Sequence, residues 1–146
     1  MTEIHGITEE QAAAAPSWDA LAPEIARRLQ GRVLAAHNLW FDRRWLDAEM
    51  ERSGRPSEGA PAAGVCTLDL ARGSTVEHDS NRLGDLCERY GITLERWHDA
   101  ASDTEATAAL LPAMLADNDL STVGDLLATV WDSHGQLAGA GEVAAV

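Results

Sequence analysis

The sequence predicts an α/β fold that is mostly helical, with two short strands. Two apolar runs, at residues 33–36 and 65–68, have the length and composition of buried strands. Most other segments carry apolar residues at three- and four-residue spacing, which is the period of an amphipathic helix. The chain has 146 residues, of which 45% are hydrophobic, so it has the size of one domain with a core of its own.

Two helices are predicted before the first strand. Thr8 and Gln11 have the spacing of a capping box, so a short helix should begin there and end before Pro16. Ser17 should cap a second helix, which Gly31 should end. The apolar stripe that should face the core in this second helix consists of Trp18, Leu21, Ile25 and Leu29.

The middle of the chain should alternate strands, helices and loops. The first strand stops directly before polar residues, as a central strand does at a functional edge. A helix should follow from residue 41 to about 53, with Trp45 packed in the core. Residues 57–64 and 73–80 have the composition of loops, and a compact helix should occupy residues 81–91.

A further capping box, Ser102 to Glu105, should open an amphipathic helix and place Asp103 in its first turn. His98 precedes this helix on a loop. A last helix is expected at residues 123–131, followed by a frayed end from residue 135 onward.

Charge and composition limit the function. All eleven basic residues are arginines and face twenty-four acidic ones, so the formal charge is −13. This charge argues against a grip on a long nucleic-acid backbone, although a small pocket that binds phosphate through divalent cations remains compatible with it. Cys66 and Cys87 should be buried free thiols. Without an apolar membrane span or a signal-peptide pattern, we expect a cytoplasmic protein that has no membrane partner.

Two polar motifs carry the functional prediction. The first joins His37 and Asn38 to Phe41 and Asp42, and the second joins His98 to Asp103, five residues later. They resemble two of the three active-site motifs of the DEDDh, or DnaQ-like, 3'-5' exonucleases, the family of the proofreading epsilon subunit of bacterial DNA polymerase III. Further resemblance, in the family's order, covers residues 4–8, 66–72 and 81–91. The family's first motif, an Asp-x-Glu on its first strand, is missing here.

The resemblance implies phosphodiester hydrolysis at a single-stranded DNA or RNA 3' end by a pair of Mg²⁺ or Mn²⁺ ions. Four carboxylates hold these ions in the family, and Asp42 and Asp103 match two of them. His98 matches the general base, a role that suits histidine because its pKa lies near neutrality. The substrate-binding residues implied by the resemblance are His5, His37, Asn38 and Phe41, with Phe41 also anchoring Asp42 against the core.

The resemblance also implies a truncated ribonuclease H-like exonuclease fold that lacks its first three strands. Residues 1–116 would form a partial exonuclease domain, and residues 117–146 a C-terminal helix with a flexible tail. The two remaining strands would have an open edge, which could pair with a second copy or with a DNA polymerase subunit.

Three functions remain open. The first is a 3'-5' exonuclease whose activity is impaired or absent in this chain alone. The second is a catalytically inactive exonuclease-like module that binds protein or nucleic acid, and the third is an acidic helical interaction protein. Taken alone, Asp42 and Asp103 are also explained as first-turn helix acids that the helix dipole stabilises. Trp40 and Trp97 could stack on bases or pack in the core.

Overall fold

The predicted α/β class is confirmed by a computed structural model, which describes residues 5–55, 64–74, 76–77, 79–94, 99–122 and 125–126. Within these ranges the chain forms a two-stranded sheet and six helices, and no helix has both the length and the apolar character needed to cross a membrane. The elements in chain order are α1 (Glu9–Ala14), α2 (Trp18–Leu29), β1 (Leu34–Ala36), α3 (Leu39–Arg52), β2 (Gly64–Cys66), α4 (Thr67–Gly73), α5 (Leu83–Arg89) and α6 (Ala100–Asp117).

The sheet consists of β1 and β2, which run parallel with Leu34 opposite Gly64. All of β2 is buried, as predicted. The expectation that the first strand is buried is wrong, because Ala35 is exposed and Val33 lies before the strand and is also exposed. Within the described residues β1 pairs with β2 alone, so its other edge is open.

The amino-terminal helices form where the sequence predicts them. Thr8 Oγ1 accepts a hydrogen bond from the Gln11 backbone N–H, and the Gln11 side chain accepts one from the Thr8 N–H, which completes the capping box. Ser17 is the N-cap residue of α2, but its side chain makes no capping hydrogen bond.

The buried side of α2 differs from the predicted stripe. Ala22 and Ala26 are buried against Met50 of α3, whereas Leu21 is 42% exposed. Trp18, Ile25 and Leu46 pack around this small cluster and are only partly buried. The side of α2 that carries the two alanines is therefore the side covered by α3.

The orientation of α3 corrects two further expectations. Leu39, Arg43 and Met50 are the buried residues of this helix. Phe41 lies two positions after Leu39, and Trp45 lies two positions after Arg43. Two positions correspond to about 200° around a helix, so both aromatic side chains point away from the core. Phe41 is 52% exposed and Trp45 is 55% exposed. Phe41 therefore does not anchor Asp42 in the core, and Trp45 is not a core residue.

The main core lies between β2, α4, α5 and α6. Its buried members are Val65, Leu70, Ala71, Leu86, Leu110 and Met114. The long helix α6 contacts α4, α5 and β1, so it holds the sheet against the other helices. The predicted capping box at its start is wrong, because Asp99 is the N-cap and its Oδ1 accepts the Ser102 N–H at 3.1 Å.

Several shorter predictions have clear outcomes. The second strand ends at Cys66, so Thr67 already belongs to α4. The helix predicted at residues 81–91 is confirmed in position but is shorter, since α5 begins at Leu83, and Gly91 follows it with φ +66°. Cys66 and Cys87 are buried and free, as predicted. The loop predicted at 57–64 and the helix predicted at 123–131 lie largely outside the described residues, and the frayed end lies entirely outside them.

A candidate active-site groove

A groove of about 760 Å³ lies where β1 ends beside the first turns of α6. Ala35 and Ala36 of β1 form one side, and Phe41 and Leu111 contribute apolar surface. The polar and charged side chains that line the groove are His37, Asn38, Asp42, Asp103, Thr104 and Thr107. Polar groups from distant parts of the chain thus converge in one concave surface, which is the usual form of a binding site.

The turn between β1 and α3 positions the first of the two carboxylates. Asn38 has φ 67° and ψ 50°, a left-handed conformation that asparagine tolerates better than most residues. Its carbonyl oxygen accepts the Phe41 N–H at 2.9 Å, so the chain turns from the strand into α3 within a few residues. Asp42 consequently lies in the first turn of α3.

Asp103 reaches the same groove from α6. It lies in the first turn of that helix, as the sequence predicts, and α6 contacts β1. Each of the two aspartates is therefore close to a helix N-terminus, where the dipole favours negative charge. Together they give the groove an acidic lining that suits a cation.

His37 lines the groove and is partly buried. Its Nδ1 lies 3.0 Å from Thr67 Oγ1, and Thr67 is completely buried. Burial lowers the pKa of His37, with a smaller contribution from Arg72, whereas a hydrogen bond to the Asn81 backbone and the charge of Asp103 oppose the shift. Burial therefore favours the neutral form of the imidazole.

The segments that follow β1 and β2 are tied together beside His37. Trp40 Nε1 donates a hydrogen bond of 3.3 Å to Asp69 Oδ2 in α4. Burial raises the pKa of the Cys66 thiol, and hydrogen bonds to the backbone of Leu39 and Asp69 oppose that shift. The first turns of α3 and α4 are thus held together at the strand ends.

The pKa of Asp42 predicts how the stability of the folded protein changes with pH. Its side chain is exposed, yet the atoms packed beside the carboxyl group raise its pKa by desolvation. The folded protein then holds the proton more tightly than the unfolded chain, so lowering the pH stabilises it. Relative to Asp42→Asn, the wild type should gain stability as the pH falls from 7 to below the usual carboxyl pKa, by less than about 1 kcal/mol because the site is solvent-screened.

Urea denaturation of both proteins across this pH range measures the difference. A relative loss of wild-type stability toward low pH would contradict the raised pKa.

The groove contains some of the ligands that the metal ions implied by the resemblance require. Asp42 and Asp103 offer the hard oxygen ligands that Mg²⁺ prefers, and one Mg²⁺ is commonly held by one or two carboxylates with water and phosphate completing its shell. Among the described residues, no group of three or more His, Cys, Asp or Glu side chains is placed to hold a metal. The described donor set is therefore insufficient for a pair of ions.

The structure gives a location to most of the predicted site residues. His37, Asn38, Phe41, Asp42 and Asp103 all line the groove. His5 is exposed, does not line the groove, and accepts the Ile7 N–H on its Nδ1 at 3.1 Å. His98, the predicted general base, and Trp97 lie outside the described residues. Trp40 is partly buried and bonded to Asp69.

Some residues in the groove or beside it were not predicted as site residues from the sequence. Thr67 contacts His37, while Thr104 and Thr107 form part of the wall on α6. Thr67 follows β2 directly, as His37 follows β1. Parallel strands bring their carboxyl ends to one edge of a sheet, and this rule could have identified Thr67 as a neighbour of the site.

Comparison with known proteins shows the family of the chain. Residues 1–111 match a family model described as Exonuclease. The chain is 34% identical over 116 residues to the PolC-type DNA polymerase III of Streptococcus thermophilus, which covers 80% of the chain and 8% of that protein. The same type of polymerase from Streptococcus pneumoniae is 36% identical over 110 residues, covering 75% of the chain and 7% of the polymerase.

A third relative, the PolC-type DNA polymerase III of Streptococcus sanguinis, is 35% identical over 116 residues, or 80% of the chain and 8% of the polymerase. The chain spans about 8% of the length of these relatives. The resemblance inferred from the two polar motifs is confirmed at the level of the family. This chain belongs to the exonuclease family.

Proposed function

We propose that the groove takes the 3' end of a single-stranded nucleic acid and that the chain belongs to the catalytic part of a 3'-5' exonuclease. The observation that carries this proposal is the convergence of Asp42 and Asp103, from the first turns of two helices far apart in the sequence, on one groove. The relatives are named as DNA polymerases, which favours DNA over RNA as the substrate.

The groove residues divide into two roles in this proposal. Asp42 and Asp103 hold a divalent cation, Mg²⁺ or Mn²⁺, which supplies charge stabilisation to the phosphate when it is bound. Asn38 and the exposed ring of Phe41 contact the terminal nucleotide from the strand end. His98 takes the proton of the attacking water. The role of His5 stays a prediction of the sequence.

We further propose that the sheet is part of a ribonuclease H-like sheet, with residues 1–116 as the exonuclease portion. The open edge of β1 supports a further strand beside it. The exposed Ala35 supports a further element packed on that face, since parallel sheets are normally covered on both faces. Two-metal hydrolysis requires carboxylates besides Asp42 and Asp103. We therefore expect the chain alone to have impaired activity, or none, until such carboxylates are supplied.

The direct test is titration of Mn²⁺ into the full chain by calorimetry, with 3' trimming of a labelled single-stranded oligonucleotide measured alongside. Asp42→Asn and Asp103→Asn remove one negative charge each and preserve side-chain shape. Each should weaken Mn²⁺ binding at least about tenfold and lower any trimming about a hundredfold, because the ligand set is already small.

Asp19→Asn is the matched control, because Asp19 also lies in the first turn of a helix but does not line the groove. It should leave Mn²⁺ binding unchanged. Equal effects of all three substitutions would indicate nonspecific attraction of cations to an acidic protein. A folded chain that neither binds Mn²⁺ nor trims the oligonucleotide would overturn the exonuclease proposal for this chain.

A second candidate function, favoured by the open edge of β1, is an inactive exonuclease-like module that pairs with a second copy or with a polymerase subunit. Sedimentation velocity over a range of protein concentrations tests the self-pairing form. A dimer that dissociates when Ala35, the central residue of β1, is replaced by proline would support it, since proline cannot donate to a strand ladder. A monomer at all concentrations would remove this form.

A further inference from the structure

Beyond the last paired residues of β1 and β2, the two chain segments are joined by side-chain contacts and no longer by the strand pairing of the sheet. Beyond β1 the chain enters the left-handed Asn38 and then α3, and beyond β2 it enters α4 at once. Two side-chain hydrogen bonds across this gap join His37 to Thr67, at 3.0 Å, and Trp40 to Asp69, at 3.3 Å. Of these two, the His37 bond lies closer to the strand ends.

The surroundings of His37 fix its ring in one orientation. Thr67, its partner, has no exposed surface. The imidazole also forms a hydrogen bond with the Asn81 backbone. The charged groups that act on the ring are Arg72 of α4 and Asp103 of α6. A ring held by the protein from several sides is poorly suited to follow a mobile substrate.

We infer that His37 is a positioning residue, whose Nδ1 bond to Thr67 holds the strand-end turn of β1 on α4 and so sets where Asp42 and Asp103 stand relative to each other. The inference rests on the proposed function and assigns to His37 a role other than the substrate contact expected from the sequence. Asp42 follows this turn by one helical turn, so a displaced turn displaces its carboxylate. Displacements of about 1 Å are known to lower turnover strongly.

Four substitutions separate positioning from substrate contact. The amide of asparagine places its polar atoms where Nδ1 of histidine stands, so His37→Asn preserves a partner for Thr67, whereas His37→Leu removes it. Thr67→Ser preserves the hydroxyl group, whereas Thr67→Val replaces it with a methyl group of similar size. Unfolding midpoints of all four proteins establish that they are folded before other measurements are compared.

Steady-state trimming of a single-stranded oligonucleotide with Mn²⁺ gives the first readout. His37→Leu and Thr67→Val should each lower kcat about tenfold with little change in KM, and the double variant should be no worse than either single variant. His37→Asn and Thr67→Ser should retain most of the activity. If His37 contacts substrate instead, His37→Asn should fail as His37→Leu does, KM should rise, and Thr67→Val should be harmless.

The second readout needs no activity, so it separates failure of this inference from failure of the proposed function. Nitrogen NMR of the labelled full chain should show the His37 Nδ1 resonance shifted by Thr67→Val and restored by Thr67→Ser. The Asp42 backbone amide should shift in the same variants. A His37 Nδ1 resonance that is indifferent to Thr67→Val would overturn the inference, whether or not the wild type trims the oligonucleotide.

Discussion

Replacing Leu110 with alanine should lower the free energy of unfolding by about 3 kcal/mol. Leu110 has no exposed surface and lies in the main core, where α6 meets the other helices. The substitution removes buried methyl groups and leaves a cavity, because Leu86 and Met114 are held by their own contacts and can fill it only partly. A loss of this size is a large fraction of the stability of an ordinary domain.

Urea denaturation followed by circular dichroism measures this loss. Leu21→Ala is the matched control, since it makes the same chemical change at a helix position that is 42% exposed. It should change stability by less than about 1 kcal/mol. Equal losses at the two positions would contradict the placement of the core between α4, α5 and α6.

Replacing Gly64 with alanine should destabilise the protein by about 2 kcal/mol. A Cβ atom at this position would overlap Leu39 Cδ2 and lie 3.3 Å from the Leu34 carbonyl oxygen. Leu39 is itself buried at the start of α3, and Leu34 belongs to β1, so neither can move away freely. Gly64 thus permits the close approach of β2 to both β1 and α3.

The cause can be isolated with a second substitution. Shortening the overlapping side chain by Leu39→Val should recover part of the loss, so the double variant should be more stable than the sum of the two single effects predicts. Gly73→Ala is the control, because a Cβ atom there meets nothing within 4 Å. Thermal unfolding of the wild type and the four variants provides the comparison, and strict additivity would exclude the proposed overlap.

Features of the fold that depend on nearby residues could be predicted from the sequence. The capping box of Thr8 and Gln11 is complete within four residues, so no distant contact is needed to form it. The apolar run that became β2 was similarly recognisable. At the start of α6, however, Asp99 and Ser102 are both acceptable caps, and the local sequence does not decide between them.

Burial was harder to predict because it depends on how elements pack. The pattern of α3 allows several orientations of the helix, and packing against β1 and β2 turns Leu39 and Arg43 inward, which leaves Trp45 exposed. Similarly, contact with Met50 buries the alanines of α2 and not Leu21. The rotation of a helix about its axis is a tertiary property.

The site residues that belong to a recognisable motif could be predicted from the sequence. Asp42 and Asp103 were identified by the resemblance of their motifs to those of the exonuclease family, and both line the groove. Thr67 carries no such signal, because a threonine after a strand is common, and its importance comes from its distance to His37. The position of His98 relative to Asp103 stays a prediction.

The two buried cysteines are natural probes of how often parts of the fold open, so no engineered reporter residue is needed. Burial raises the pKa of both thiols, so at neutral pH they are protonated and react slowly with alkylating reagents. Cys66 is the last residue of β2. Cys87 is a buried residue of α5, next to Leu86 of the main core. Each can be alkylated only when its own part of the structure opens. The ratio of the two alkylation rates therefore reports whether the sheet or α5 opens more often.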